Sequence, residues 1–159
     1  MTGPCTSPTT GVIITGGASG IGRACADALA AVGRPVALWD LQGDAALEAA
    51  EQIGTDHGVA TMGLGIDVTD TDTLDGAAAG AVEAIGPVGG LVHAAGTVSA
   101  DVIGALDHPA WDKVVDVNLT AHAMLTQALL PHLRKAEQGS AVVAISSIEG
   151  LIGHAFIPA

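Results

Sequence analysis

Thr15-Gly16-Gly17-Ala18-Ser19-Gly20-Ile21-Gly22 is the stretch on which the reading of this chain turns. It follows a short apolar run, Val12 to Thr15, and opens a segment in which Ile21, Cys25, Ala28, Leu29 and Val32 recur on one helical face before Gly33 closes it. Strand, glycine turn, helix is the local structure this predicts. Residues without Cβ belong where the backbone bends sharply and must lie close to a partner, and a helix start presents free N–H groups to an anion. The chain has 22 glycines, however, and many glycines only punctuate. On spacing alone the turn is equally a structural cap.

The same alternation continues outward from it. Pro35 to Asp40 reads as a second strand, followed by a helix capped by Asp44 with Leu47, Ala50 and Ile53 inward. Val59 to Asp67 is a third strand broken by Gly63 and Gly65, and Leu74, Ala78, Ala81, Val82 and Ile85 mark one face of the next helix up to Gly86-Pro87. Gly90 to Ala94 is the fourth strand. A single long helix from Pro109 towards Lys135, with Pro131 kinking or shortening it, precedes a fifth at Ala141 to Ser146. Five strands alternating with helices predict an α/β, Rossmann-like doubly wound parallel sheet of order 3-2-1-4-5. We divide the chain into a loose leader, 1–10, and one dinucleotide-binding domain, 11–159.

In that topology the glycine turn stands where strand order reverses and ligands bind. Asp40 ends the second strand 18 residues beyond Gly22, where a carboxylate accepts hydrogen bonds from adenosine ribose hydroxyls. A 2′-phosphate would meet it with like charge, and neither Ser19 nor Leu41 offers a compensating cation. NAD is the expected cofactor, with NADP disfavoured.

Composition narrows the remaining classes. Seventeen acidic and five basic side chains give a formal charge of −12, which opposes binding to nucleic acid and to anionic membrane surfaces. Two cysteines, Cys5 and Cys25, make no disulfide framework, and no secretory signal or membrane-length apolar run stands out, so a cytoplasmic protein is expected. With one Phe, two Trp and no Tyr, the core must be built from Ala, Val, Leu and Ile. A hydrolase built on Ser147 and His154 is rejected because no Gly-x-Ser-x-Gly elbow surrounds the serine, and no His or Cys pair has zinc spacing.

Thr15, Gly16, Gly20 and Gly22 resemble the Thr-Gly-x-x-x-Gly-x-Gly turn of the non-extended short-chain dehydrogenase/reductase family, and the resemblance runs across nearly the whole chain. It implies that Thr15, Gly16, Ser19, Gly20, Ile21 and Gly22 bind the cofactor. It implies also that Asp67 and Val68 hold the adenine, and that Ala94-Ala95-Gly96, in place of Asn-Ala-Gly, lies against the nicotinamide ribose. Without the family, Asp67 is equally a helix-entry cap beside Thr69. His93, just before that turn, reads as structural.

Asn118 falls on the predicted inner stripe of the long helix with Trp111, Val114, Val115, Leu119, His122, Leu125 and Leu129, where an amide needs a partner. Asp116-Val117-Asn118-Leu119-Thr120 resembles the family's catalytic Asn segment, which helps hold a water in the proton relay. Ser147, supported by Ser146, takes the place of the catalytic Ser that bonds the substrate oxygen; on residues alone it is a strand-end serine bonding local backbone. The family's Tyr-x-x-x-Lys would begin at the position after Ala159, and neither Lys113 nor Lys135 stands in for that Lys.

The expectation is thus an NAD-dependent oxidoreductase of secondary alcohols and ketones, cut before its acid/base Tyr and lacking its last strands. Alone it should be inactive. The alternatives are a non-catalytic NAD-binding module and a subunit completed by another chain, and the full-length form is expected to make homo-dimers or homo-tetramers. Thr97 to Asp107 and Glu149 to Pro158 are expected to border the substrate.

Overall fold

The computed structural model describes residues 8–100, 102 and 104–152. Five parallel strands, β1 (Gly11–Thr15), β2 (Val36–Asp40), β3 (Thr61–Gly65), β4 (Val88–His93) and β5 (Ala141–Ala144), form one sheet in the order β3-β2-β1-β4-β5. The predicted order holds because each crossover passes through a helix, and right-handed crossovers in both directions from β1 leave it at the centre. Those helices are α1 (Gly20–Ala31), α2 (Gly43–His57), α3 (Leu74–Ile85), α4 (His108–Val115) and α5 (Ala121–Leu133).

Two-residue alternation along β1 divides the core. Val12 and Ile14 pack with Ala26, Ala30, Leu38, Ala49 and Ile53 under α1 and α2, while Ile13 packs with Leu74, Ala81, Leu125 and Leu129 under α3 and α5. Trp39, the bulkiest fully buried side chain, fills the second layer. In α3 the predicted face is the observed one.

Two other helices are turned from the expected faces. In α1 the buried residues are Gly22, Ala26 and Ala30; Cys25 and Leu29 are half-buried, and Ile21, Ala28 and Val32 are exposed. Small residues spaced by four let the helix axis approach the sheet, which displaces the larger apolar side chains to the rim. In α2, Leu47 is exposed and Ala46, Ala49, Ala50 and Ile53 are buried. A Cβ at Gly63 would lie 2.4 Å from the Leu47 Cα, so α2 rests its backbone directly on β3 and the strand must have glycine there. The cap position of α2 is Gln42, not Asp44, whose carboxylate lies in the first turn beside the positive helix end.

The expected long helix is present from His108 to Leu133, with a change of register inside it. Between α4 and α5 runs a π turn, Asp116–Thr120, closed by Ala121 N–H donating to the Asp116 carbonyl. This wider turn carries the buried stripe from Val114 to Ala121, Leu125, Leu129 and Leu133, and leaves Trp111, Asn118 and Leu119 exposed instead of inward. Pro131 sits inside the last turn of α5.

All four residues of β5 are exposed, although Ala-Val-Val-Ala is as apolar as β1. Of the expected leader, residues 1–7 lie outside the described residues, while Thr9 N–H donates to Gln138 Oε1 at 2.7 Å and the Arg34 guanidinium donates to the Thr10 carbonyl at 2.8 Å. Among the described residues no helix is long and apolar enough to cross a membrane, and no cluster of three metal-ligating side chains occurs.

Candidate dinucleotide site

The carboxyl ends of β1, β2, β3 and β4 surround a cleft of about 480 Å³, a size suited to a small-molecule cofactor. Its wall contains Gly16, Ser19, Gly20, Ile21 and Gly22 from the glycine turn, Asp40 from β2, Asp67 and Val68 after β3, and Ala94, Ala95 and Gly96 after β4. Eleven of the twelve expected cofactor residues thus meet in one place. The twelfth, Thr15, is fully buried behind the wall.

The glycine turn is built by close backbone approach. A Cβ at Gly22 would stand 2.1 Å from the Gly16 carbonyl oxygen, so α1 starts directly against the turn, and Gly16 has the positive φ of 65° that the bend requires. A Cβ at Gly20 would meet nothing within 4 Å, and the Ser19 side chain makes no cap bond to the helix start. Open space in front of the first turn of α1 is what an anion held by backbone N–H groups needs.

Asp40 is tied to that turn. Its Oδ2 accepts from Ala18 N–H at 3.1 Å and its Oδ1 from Gln42 N–H at 3.0 Å, which aims the carboxylate before any ligand arrives. Asp67 Oδ1 accepts from the Thr69 hydroxyl at 2.7 Å and the Thr69 N–H at 2.9 Å. The hydroxyl bond first, then the backbone bond, holds its carboxyl below the ordinary range, so it is anionic. Asp67 is therefore not the helix-entry cap that the residues alone allowed, since Asp70 takes the cap position; it closes a local turn with Thr69 and lies on the cleft wall.

Thr15 and His93 form the floor. Ala95 N–H donates to Thr15 Oγ1 at 3.2 Å, Thr15 Oγ1 lies 2.9 Å from His93 Nδ1, and His93 Nε2 lies 3.1 Å from the Val117 carbonyl oxygen. A carbonyl only accepts, so Nε2 carries a proton and donates. Burial lowers the His93 pKa; the bond to Val117 opposes this and His122 adds to it, leaving the ring neutral and Nδ1 an acceptor for the Thr15 hydroxyl. His93 is buried and bonded through both ring nitrogens, linking the end of β1 to the turn that carries Val117, beside Ala94, where the resemblance lacks its amide.

Asn118 bonds one residue through both ends of its amide. Oδ1 accepts from Thr97 N–H at 2.8 Å and Nδ2 donates to the Thr97 carbonyl at 2.9 Å, a two-point clamp on the loop after Gly96. The partner anticipated for this amide is therefore backbone. Ser147 follows β5 on the same sheet edge, where Ile145 N–H donates to the His93 carbonyl at 2.9 Å, but neither it nor Asn118 is part of the cleft wall. Its hydroxyl accepts from Glu149 N–H at 3.2 Å, the local bond that a strand-end serine permits. His154 and Pro158 lie outside the described residues, as do Asp101 and Ile103 of the first expected substrate loop.

Trp39, Leu41, Ile66, Lys113 and Val117 also line the cleft and were not anticipated there, as does Thr97, which was expected only to border the substrate. Trp39, Leu41 and Ile66 flank Asp40 and Asp67 in sequence, and Thr97 and Val117 adjoin Gly96 and Asn118, so adjacency was the available signal. Lys113 had none. It comes from α4 and is the cation among the residues of the wall.

The short chain dehydrogenase family model matches residues 10–159. The chain is 33% identical over 149 residues to a protein of Rhizobium meliloti named "Probable galactose dehydrogenase", with 94% of this chain and 58% of that one covered. It is 33% identical over 149 residues to the 2-dehydro-3-deoxy-L-rhamnonate dehydrogenase (NAD(+)) of Sphingomonas, covering 89% and 55%. A solved short chain dehydrogenase of Shigella flexneri superposes with a TM-score of 0.83 at 27% identity, over 92% of this chain and 58% of that chain. The chain spans little more than half the length of these relatives. A glycine-turn cleft on a sheet of order 3-2-1-4-5 and a family match from residue 10 to residue 159 agree: this chain belongs to the short-chain dehydrogenase/reductase family.

Proposed function

We propose that this chain is the NAD-binding part of an oxidoreductase that interconverts a secondary alcohol and a ketone by hydride transfer. The observation that carries the reading is the cleft itself, whose wall brings together the open start of α1 at Gly20, the carboxylates of Asp40 and Asp67, and the Ala94–Gly96 segment. Bound there, NAD would supply the hydride acceptor. The α1 start and Gly20 would receive its pyrophosphate, Asp40 its adenosine ribose, Asp67 and Val68 its adenine, and Ala95 and Gly96 the nicotinamide end. The Sphingomonas relative, whose name specifies NAD(+), supports the cofactor choice.

Asp40 presents a fixed negative charge, so a 2′-phosphate is repelled while ribose hydroxyls are bonded. Asp40→Ala should therefore weaken NAD much more than NADP. Equilibrium binding of both dinucleotides checks this, and an unchanged ratio in Asp40→Ala would overturn the assignment.

Asn118 and Ser147 would hold the loop and the substrate oxygen near the nicotinamide end. Neither is a proton donor or acceptor of suitable pKa, and the 159 residues contain no Tyr. That observation favours a second reading, an NAD-binding module without turnover, or a subunit completed by another chain. Steady reduction of NAD by the isolated chain with secondary alcohols would refute the need for a further acid/base. A Tyr-x-x-x-Lys encoded beyond codon 159 would favour the enzyme, and a stop codon the module. A cytoplasmic location, a small alcohol or ketone substrate, and assembly of the full-length form as a homo-dimer or homo-tetramer complete the proposal; the charge of −12 disfavours nucleic acid and anionic membrane surfaces as partners.

A further inference from the structure

We infer that His93 is a positioning residue that ties the π turn carrying Asn118 to the glycine-turn strand and so sets the nicotinamide end of the cleft. The inference rests on the dinucleotide reading of that cleft. Three backbone segments of its wall lead back to this one ring. Ala95 N–H is held by the Thr15 hydroxyl, which His93 Nδ1 orients; the Val117 carbonyl is held by His93 Nε2; and Thr97 is clamped by Asn118, the residue after Val117. Ala95, Thr97 and Val117 all line the cleft, whereas the imidazole itself is buried beneath it.

Position in the fold explains why a ring is needed. His93 ends β4, paired with Thr15 of β1 on one side and Ala144 of β5 on the other, and Val117 sits in a helical turn widened by one residue. A π turn has an alternative at hand, the ordinary α register, in which Val117 and Asn118 would be presented differently. The donor and the acceptor on opposite sides of the imidazole are satisfied together only while the strand end and this turn keep their present separation. His122 of α5, with its ring centroid 5.4 Å away, is the titratable group whose charge acts on His93, and it discourages protonation of the bridge.

The test uses the complete 159-residue chain and two probes, NAD and adenosine 5′-monophosphate, the second reaching only the Asp40, Asp67 and Val68 end. In His93→Asn the side-chain oxygen mimics Nδ1 and cannot reach Val117; in His93→Gln the terminal amide mimics Nε2 and can. The Asn variant should bind NAD about tenfold more weakly, the size of one lost buried hydrogen bond, with adenosine monophosphate unchanged. The Gln variant should recover most of the loss. Equal NAD affinity in the wild type and both variants, or parallel losses of both probes, would overturn the inference. Nitrogen NMR of His93 gives an independent reading: the Nε2–H tautomer at neutral pH supports the bridge, and an Nδ1–H tautomer or a charged ring overturns it. If the wild type binds neither probe, the cofactor reading fails, and the tautomer alone decides for or against the bridge.

Discussion

β1 and β5 are strands of one sheet with almost interchangeable composition, Gly-Val-Ile-Ile-Thr and Ala-Val-Val-Ala, yet every residue of the first is buried and every residue of the second exposed. Strand formation needs only β-branched side chains and a neighbour with which to pair, and β4 supplies that to both. Burial needs cover on two faces. β1 has α1 and α2 above and α3 and α5 below, whereas β5 lies at the edge. The glycine-turn side of the cleft is accordingly held by packing, and the region beside it that carries Asn118 and Ser147 is held by individual hydrogen bonds.

That contrast is most severely tested at the glycine turn. Gly22→Val forces a side chain into the Gly16 carbonyl and should destabilise the chain by more than about 3 kcal/mol and abolish dinucleotide binding, as read by urea unfolding and a binding titration. A variant that folds and binds normally would show that the turn is looser than its backbone contacts imply.

Ile14→Ala should cost roughly 3 kcal/mol, because the cavity would lie between two covered layers. Asn118→Ala should cost only about 1 kcal/mol, through release of Thr97, and should leave binding of adenosine monophosphate untouched while weakening NAD. If the two losses were equal, the division into a packed and a bonded half would fail.

Acidification separates the same halves. His93 has a folded-state pKa below its unfolded value, so between those two values the unfolded chain takes up a proton that the folded chain refuses. Its contribution to stability is complete above the ordinary imidazole range and declines as pH falls from that range towards the lower folded-state value. Asp67, also lowered, contributes above the ordinary carboxylate range and loses that contribution as pH falls further. Unfolding midpoints measured against pH should show the first loss in wild type and not in His93→Gln.

The smallest effect is expected at the sheet edge. Val142→Ala on β5 should change stability by less than about 0.5 kcal/mol, since 40% of the side chain is already in water. A core-sized loss there would mean that β5 is covered in solution.

Strand order, the glycine turn, and the convergence of Asp40, Asp67 and Gly96 on it were legible in the chain because local signals and topology specify them together. The strands end at the same edge of the sheet, so residues just after β1, β2, β3 and β4 converge on one site. Helix faces were less legible. In α1 the residues Ile21, Cys25, Ala28, Leu29 and Val32 make a good stripe by hydrophobicity, but the sheet accepted the alanines at 26 and 30 because close approach rewards small side chains more than large ones. Asn118 was placed inward by a period of 3.6 that the π turn does not keep. Lys113 was missed because nothing near it in sequence marks the cleft that it lines.

By itself, then, the sequence determined the elements, their alternation and the glycine turn, all of which depend on backbone preferences and short-range periodicity. Only the tertiary structure decided which helix faces are buried, that a fifth apolar strand is exposed, that a π turn interrupts the long helix, and that His93 bridges it to Thr15. These depend on the distance between elements far apart in the chain, and no pattern within a window of residues records such a distance.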